Sequence, residues 1–235
     1  MQIILLPGLH GTDDLFQEFI KCRPGSFSPI VVSLPEGEGL TYQTYTDAVS
    51  KEINFDQPTV ILGESFSGPI ALKLAAQNPQ GLMGIVLVAS FVTPPYPRAL
   101  SFLPWDFLFS ISSPLYTLRA LLQFSPNMAK IVQQASVLLQ KISSKTMAQR
   151  VRTALATDVV KELKECGVPI LYLAGTKDFV VPSWNWKKIV ALRPDVRVHH
   201  INAPHFVLQI APREAWDGIK KFIDDIRLHI AAPPL

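Results

Sequence analysis

A serine stands at a corner between a strand and a helix, where it could act as a nucleophile. Residues 59–69 read TVILGESFSGP, which predicts a buried strand, a tight turn and an alanine-rich helix. Such a turn raises the Ser65 hydroxyl above the sheet, and the first N–H groups of the helix face the negative charge that forms. The pattern typical of this elbow is G-x-S-x-G. Here Ser67 replaces the last glycine and Gly68 follows, and we expect small residues at 63 and 67 because neighbouring backbone crowds the elbow.

A serine hydroxyl is a poor nucleophile unless a base lies within hydrogen-bond reach and a carboxylate orients that base. Asp178 follows the apolar run 171–174 in a turn closed by Pro182, and His205 follows the strand-like run 196–201. All three residues come just after the carboxyl end of a predicted strand, and their order is serine, acid, histidine. We therefore predict Ser65 as the nucleophile, Asp178 as the acid and His205 as the base.

The elements that must position these residues alternate between short apolar runs and amphipathic segments, which favours a parallel sheet flanked by helices. The predicted strands are 3–6, 30–34, 59–62, 84–89, 169–173 and 196–201. The predicted helices are one capped by Thr12, one opened by Thr41, and those at 66–77, 183–192 and 213–227.

Residues 92–165 interrupt this alternation with predicted helices at 115–124, 128–139 and 144–163. An insertion at this point would cover the carboxyl ends of the strands, where ligands bind in open α/β sheets. We therefore predict a core domain of residues 1–91 and 166–235 with a helical lid of residues 92–165. The aromatic residues of the lid would line an acyl pocket or simply form its core. They are Phe102, Trp105, Phe107 and Phe109.

With these motifs in place, the sequence resembles the α/β-hydrolase fold superfamily of serine hydrolases, and most of all its small, lid-bearing esterases and thioesterases. The resemblance extends over nearly the whole chain and is strongest at 1–16, 59–79, 170–182 and 203–226. It implies the fold and the roles of Ser65, Asp178 and His205. The usual two N-terminal strands are missing, since Met1 opens directly on the strand that precedes the oxyanion loop.

The family also implies an oxyanion hole built from two backbone N–H groups. One is that of Phe66, directly after the nucleophile. The other comes from the loop after the first strand, where relatives carry His-Gly-x and this chain has Pro7-Gly8-Leu9. We assign Leu9 by its place in that loop, with Thr12 and His10 as alternatives. His10 would line the substrate site or only pack beside it.

Composition excludes several other classes of protein. The net charge of +3 comes from scattered residues, so no basic face for nucleic acid is expected. Cys22 and Cys166 lack metal or redox spacing and are expected to be buried free thiols in a reducing compartment. The run 102–124 is too interrupted for a membrane span, and residues 1–6 have no basic region of a signal peptide. We predict a cytoplasmic enzyme without metal or cofactor. The oligomeric state is not predicted.

The expected activity is hydrolysis of a carboxylic ester or thioester with an apolar moiety, through an acyl-enzyme on Ser65. The same three residues would also serve a lyase, a C–C hydrolase or a perhydrolase. A ligand receptor without turnover is the alternative from another class, and the intact Ser-Asp-His order argues against it.

Overall fold

The structure, a computed structural model, describes residues 1–111 and 142–231. Within these ranges six strands form one sheet in the order β2-β1-β3-β4-β5-β6, and every neighbouring pair is parallel. The strands are β1 Gln2–Leu6, β2 Ser28–Val31, β3 Thr59–Glu64, β4 Leu82–Val88, β5 Ile170–Gly175 and β6 Arg197–Ile201.

Helices connect the strands and cover both faces of the sheet. They are α1 Gln17–Lys21, α2 Tyr42–Ser50, α3 Gly68–Ala76, α4 Trp105–Ile111, α5 Ser144–Leu155, α6 Val160–Glu165, α7 Trp184–Leu192, α8 Val207–Ile210 and α9 Pro212–Ala231. Short 3₁₀ turns lie at Asp14–Phe16, Ser65–Ser67 and Arg98–Phe102.

The central strands are buried on both faces, as their continuous apolar sequences predict. Side chains of β1 alternate between two cores. Ile4 and Leu6 pack in the core that contains α2 and α3. Ile3 and Leu5 pack on the opposite face with α1 and α9, where Trp216 stacks on Phe19 at 4.4 Å between ring centroids.

The strand order places a topological switch between β1 and β3. From β1 the chain moves outward to β2, then returns past β1 to β3 and continues in the other direction. At such a point the loops that leave the two strands separate and open a crevice, where ligands bind in α/β sheets. The loop after β1 and the turn that holds Ser65 both leave the sheet at this crevice.

The predicted fold class is confirmed, with corrections to three helices. Thr12 caps no helix, because its hydroxyl bonds the Asp14 carboxylate and a 3₁₀ turn precedes α1. The predicted helix 144–163 is two helices, α5 and α6. It breaks between them because the Val159 N–H donates to the Val92 carbonyl at 2.9 Å, outside the helical pattern. The helix predicted over 66–77 begins as the 3₁₀ turn Ser65–Ser67.

The predicted helices 115–124 and 128–139 lie outside the described residues, so the lid stays a prediction. Cys166 is buried, whereas Cys22 is partly exposed, contrary to expectation; both are free thiols. Of the helices described, none combines the length and apolar composition needed to cross a membrane.

Candidate active site

The turn at Ser65 has the strained backbone expected of a nucleophile elbow. Ser65 has φ +49°, in a region that residues other than glycine seldom adopt. Its carbonyl accepts a hydrogen bond from the Ser90 hydroxyl at 2.7 Å, which anchors the turn to the segment after β4. A Cβ on Gly68 would lie 1.8 Å from that same Ser90 oxygen. Glycine is therefore required at position 68, whereas the neighbouring Ser67 fits although its side chain is buried.

The carboxylate of Asp178 is held in place by the loop that follows β5. Its Oδ1 accepts hydrogen bonds from the backbone N–H groups of Val180 and Val181, at 2.8 and 2.9 Å. Its Oδ2 lies 2.9 Å from Nδ1 of His205. Two fixed donors on one oxygen leave the other oriented toward the imidazole.

His205 connects the acid to the serine. Its Nε2 lies 3.0 Å from the Ser65 Oγ, while Nδ1 faces Asp178. Because the Asp178 carboxylate accepts a hydrogen bond from the Nδ1–H, we assign the neutral tautomer that leaves Nε2 as acceptor for the serine hydroxyl. The structure thus brings together the three residues that the sequence predicted, here called the Ser–His–Asp cluster.

The electrostatic surroundings of His205 favour its protonated form. Burial by itself lowers the pKa of the imidazole. The charge of Asp178, its hydrogen bond and the charge of Glu64 outweigh burial and raise the pKa above the ordinary histidine value. A raised pKa suits a base that must hold a proton until the leaving group takes it.

Glu64, the last residue of β3, is a buried carboxyl beside the cluster. Its Oε1 accepts a hydrogen bond from the Gln209 amide at 3.0 Å. Burial raises the pKa of Glu64, against the opposing effects of Gln209, of the nearby His205 charge and of the Gly8 N–H. Glu64 therefore connects the nucleophile turn to α8, the helix that follows His205.

The loop after β1 runs directly beside the nucleophile. A Cβ on Gly8 would be 3.7 Å from the Ser65 Cβ. The Gly8 carbonyl accepts a hydrogen bond from the Gly11 N–H at 3.0 Å, and the preceding Pro7 carbonyl accepts one from the Ser67 hydroxyl at 2.5 Å. Because a trans peptide is planar, the Leu9 N–H points away from the Gly8 carbonyl. Among the described residues, the Leu9 N–H donates no backbone hydrogen bond.

The second predicted oxyanion donor, the N–H of Phe66, lies in the first turn of the 3₁₀ segment Ser65–Ser67. N–H groups at this place have no partner within the helix. The Phe66 ring is buried against Tyr42 and Tyr45, at centroid distances of 5.0 and 5.3 Å. This packing fixes the backbone on which the donor sits.

The predicted substrate-lining residues fall into two groups. His10 is buried, and burial lowers the pKa of its imidazole to about 4, so the ring is neutral at pH 7. The rings of Trp105 and Phe109 contact each other along α4, with 5.9 Å between their centroids. Phe102 and Phe107 are largely exposed. Contact of these aromatic side chains with substrate stays a prediction.

A surface cleft of about 470 Å³ lies beside α2 and α5, and none of its lining residues belongs to the Ser–His–Asp cluster. Its basic side chains already have acidic partners. Lys73 lies 2.7 Å from Glu162, and Arg152 lies 2.5 Å from Asp106. The hydrogen-bond geometry that proton transfer requires is present at the cluster, which lies outside this cleft. No set of three or more His, Cys, Asp or Glu side chains among the described residues is arranged to hold a metal ion.

Sequence reasoning missed the residues that support the site from distant segments. Ser90 and Gln209 reach Ser65 and Glu64 across 25 and 145 positions, and Arg150 donates to Leu9 across 141. Only Ser67, as a departure from the elbow pattern, gave a local signal. The other contacts depend on how the strands are ordered, which a linear pattern does not contain.

Comparison with known proteins gives a match to one family. Residues 42–203 match the family described as serine aminopeptidase, S33. This range is more than half of the chain and includes Ser65 and Asp178, while Leu9 and His205 lie outside it. Among curated proteins the sequence comparison finds no significant match.

Many solved structures share this architecture at low sequence identity. A hydrolase from Pseudomonas aeruginosa is 18% identical with a TM-score of 0.79, covering 94% of this chain and 89% of its own. MenH from S. aureus is also 18% identical with a TM-score of 0.79, covering 97% and 94%. A structure described among carboxylesterases of Nitrososphaera gargenis is 17% identical with a TM-score of 0.79, covering 97% and 91%. These likenesses concern the fold.

Proposed function

Because the chain belongs to the serine aminopeptidase, S33 family of α/β-hydrolases, we propose that it cleaves a carboxylic ester or thioester with an apolar moiety through an acyl-enzyme on Ser65. The observation that carries the proposal is the pair of distances at His205. Nε2 lies 3.0 Å from the Ser65 Oγ, and Nδ1 lies 2.9 Å from Asp178. This arrangement has the geometry for a base that is oriented by a carboxylate.

In the proposed reaction, the Ser65 Oγ attacks the substrate carbonyl while His205 Nε2 takes its proton. Asp178 holds the tautomer and stabilises the imidazolium that forms. The oxyanion accepts hydrogen bonds from the N–H groups of Phe66 and Leu9. His205 then protonates the leaving alcohol or thiol, and afterwards removes a proton from the water that releases the acid and regenerates Ser65.

One feature supports an apolar moiety in the substrate. Apolar surface lies beside the cluster: Phe179, directly after Asp178, is 62% exposed. Since the family description refers to an aminopeptidase, an amide substrate is the alternative that the experiment must separate.

The test is hydrolysis of p-nitrophenyl and thioester substrates of increasing acyl length, beside aminoacyl p-nitroanilides. Ser65→Ala and His205→Ala are expected to lose at least about a thousandfold in kcat/KM. Ser50→Ala and His200→Ala, the same substitutions away from the cluster, are expected to keep wild-type values. Ester activity that survives in Ser65→Ala would contradict the proposal. If the protein hydrolyses only the anilides, Ser65 remains the proposed nucleophile, but the proposed substrate class changes from an ester or thioester to an amide.

A further inference from the structure

Arg150 is a buried cation at the edge of the candidate site. It lies in α5, its side chain has no exposed surface, and no carboxylate among the described residues forms an ion pair with it. A buried charge without a counter-ion is destabilising unless hydrogen bonds compensate it. The position of the guanidinium therefore depends on the groups that accept its protons.

Those acceptors are backbone carbonyls of two loops. Nη1 donates to the Leu9 carbonyl at 2.8 Å, and Nη2 donates to the Pro35 carbonyl at 3.1 Å. The guanidinium also lies over the Tyr45 ring, 5.9 Å from its centroid. The planar guanidinium thus joins the loop after β1 to the loop after β2 through two N–H donors. A lysine ammonium does not reproduce this geometry.

The loop after β1 is built around this guanidinium. Gly11 has φ +78°, and a Cβ there would lie 2.4 Å from Nη1 of Arg150. The Gly11 carbonyl in turn accepts a hydrogen bond from the Leu34 N–H at 2.8 Å. The tight turn at residues 8–11 and the arginine therefore fit closely, because a side chain at position 11 would overlap the guanidinium.

Three consecutive carbonyls of this loop each have a fixed donor. The Pro7 carbonyl accepts a hydrogen bond from the Ser67 hydroxyl, and the Gly8 carbonyl accepts one from the Gly11 N–H. The Leu9 carbonyl accepts one from the Arg150 guanidinium. The Leu9 N–H belongs to the peptide whose carbonyl is that of Gly8, and the Leu9 carbonyl belongs to the next peptide. The backbone is therefore held on both sides of the Leu9 Cα. Arg150 supplies the hold on the second of these peptides.

We propose that Arg150 is a positioning residue for the oxyanion hole: by binding the Leu9 carbonyl it aims the Leu9 N–H at the oxyanion that forms on Ser65. This inference rests on the proposed function, in which Leu9 is an oxyanion donor. Arg150 itself contacts no reacting atom. Its effect is expected in the transition state, where the oxyanion exists, and not in the binding of the uncharged substrate.

The experiment compares Arg150→Met and Arg150→Lys with Arg197→Met, which removes an exposed arginine that pairs with Asp225 at the far edge of the sheet. Each variant is measured for kcat and KM on a p-nitrophenyl ester. Each is also measured for its affinity for an alkyl trifluoromethyl ketone, whose adduct with a serine carries an oxyanion. Circular dichroism and thermal melting establish that each variant is folded.

Arg150→Met is expected to lose at least about tenfold in kcat/KM and in ketone affinity together, with KM within about twofold. Arg150→Lys is expected to lose less in both, about three- to tenfold, because one donor remains. Arg197→Met keeps both values. A folded Arg150→Met with wild-type kcat and ketone affinity would overturn the inference. If that variant does not fold, wild-type values in Arg150→Lys would overturn it.

The same measurements separate this inference from the proposed function. A wild-type protein that hydrolyses the ester and binds the ketone through Ser65 supports the proposed function whatever the Arg150 variants do. Unchanged Arg150 variants then contradict the role of Arg150 alone. A wild-type protein with neither activity contradicts the proposed function and this inference with it.

Discussion

The Ser67 hydroxyl donates a hydrogen bond to the Pro7 carbonyl across the crevice between β1 and β3. Ser67 is the residue that departs from the G-x-S-x-G pattern, and its side chain is fully buried. Serine in place of glycine therefore adds a hydrogen bond between the nucleophile turn and the loop after β1. A glycine at this position would leave the Pro7 carbonyl without that donor.

Removal of this hydrogen bond is expected to destabilise the protein. Ser67→Ala leaves a buried carbonyl without its hydrogen-bond donor, which costs about 1–3 kcal/mol in the free energy of unfolding. Urea denaturation of the variant measures this loss. The control is Ser50→Ala, whose hydroxyl bonds a carbonyl at the end of α2, and its effect is expected within about 0.5 kcal/mol. A Ser67→Ala protein as stable as wild type would show that the hydrogen bond contributes nothing.

The charge of Glu64 is expected to affect the pH dependence of activity. Glu64 helps to raise the pKa of His205, which must be deprotonated to act as the base. In Glu64→Gln the pKa of His205 falls, so the acid limb of the kcat/KM profile moves to lower pH. Glu52→Gln serves as the control, because Glu52 is an exposed glutamate in the turn after α2. An acid limb that stays in place or moves to higher pH would contradict the coupling between Glu64 and His205.

His10 is expected to make the protein less stable in acid. Its pKa is 6.5 when unfolded and about 4 when folded, so between these values the unfolded state binds more protons. Stability from this group is complete above pH 6.5 and is lost as pH falls through about 4, by about 3 kcal/mol in total. His10→Asn is expected to reduce the difference in unfolding free energy between about pH 7 and about pH 4 by this amount.

The comparison for this prediction is His200→Asn, because His200 is an exposed histidine on β6. That variant is expected to retain the pH dependence of the wild type. If His10→Asn and His200→Asn change with pH to the same extent, the burial of His10 does not contribute to acid sensitivity.

Local patterns were sufficient to predict the sheet and the three residues of the Ser–His–Asp cluster. Each of these residues follows a strand, and parallel strands bring their carboxyl ends to one edge. Patterns were insufficient where a distant segment decides the structure. The predicted helix 144–163 ends early because Val159 bonds Val92. In the sequence, Arg150 has no feature that distinguishes it from other helical residues. Its role depends on the two loops that the fold places around its guanidinium.

The expectation of crowding at the elbow, made for positions 63 and 67, was right at position 63, where a Cβ would lie 2.7 Å from the Ser67 carbonyl oxygen. Position 67 holds a small, fully buried serine. The sequence pattern did not indicate position 68. In the structure, a side chain fits at Ser67, and position 68 is the one that Ser90 crowds. The reason is that Ser90 lies in the segment after β4, and the sequence around Ser65 contains no information about its approach.

The most direct test of the central claim is reaction of the folded wild-type protein with a fluorophosphonate, followed by intact mass and peptide mapping. We expect a single adduct on Ser65, no adduct in Ser65→Ala and strongly slowed labelling in His205→Ala. An adduct on another residue, or ester hydrolysis by wild-type protein that takes up no label, would contradict Ser65 as the nucleophile.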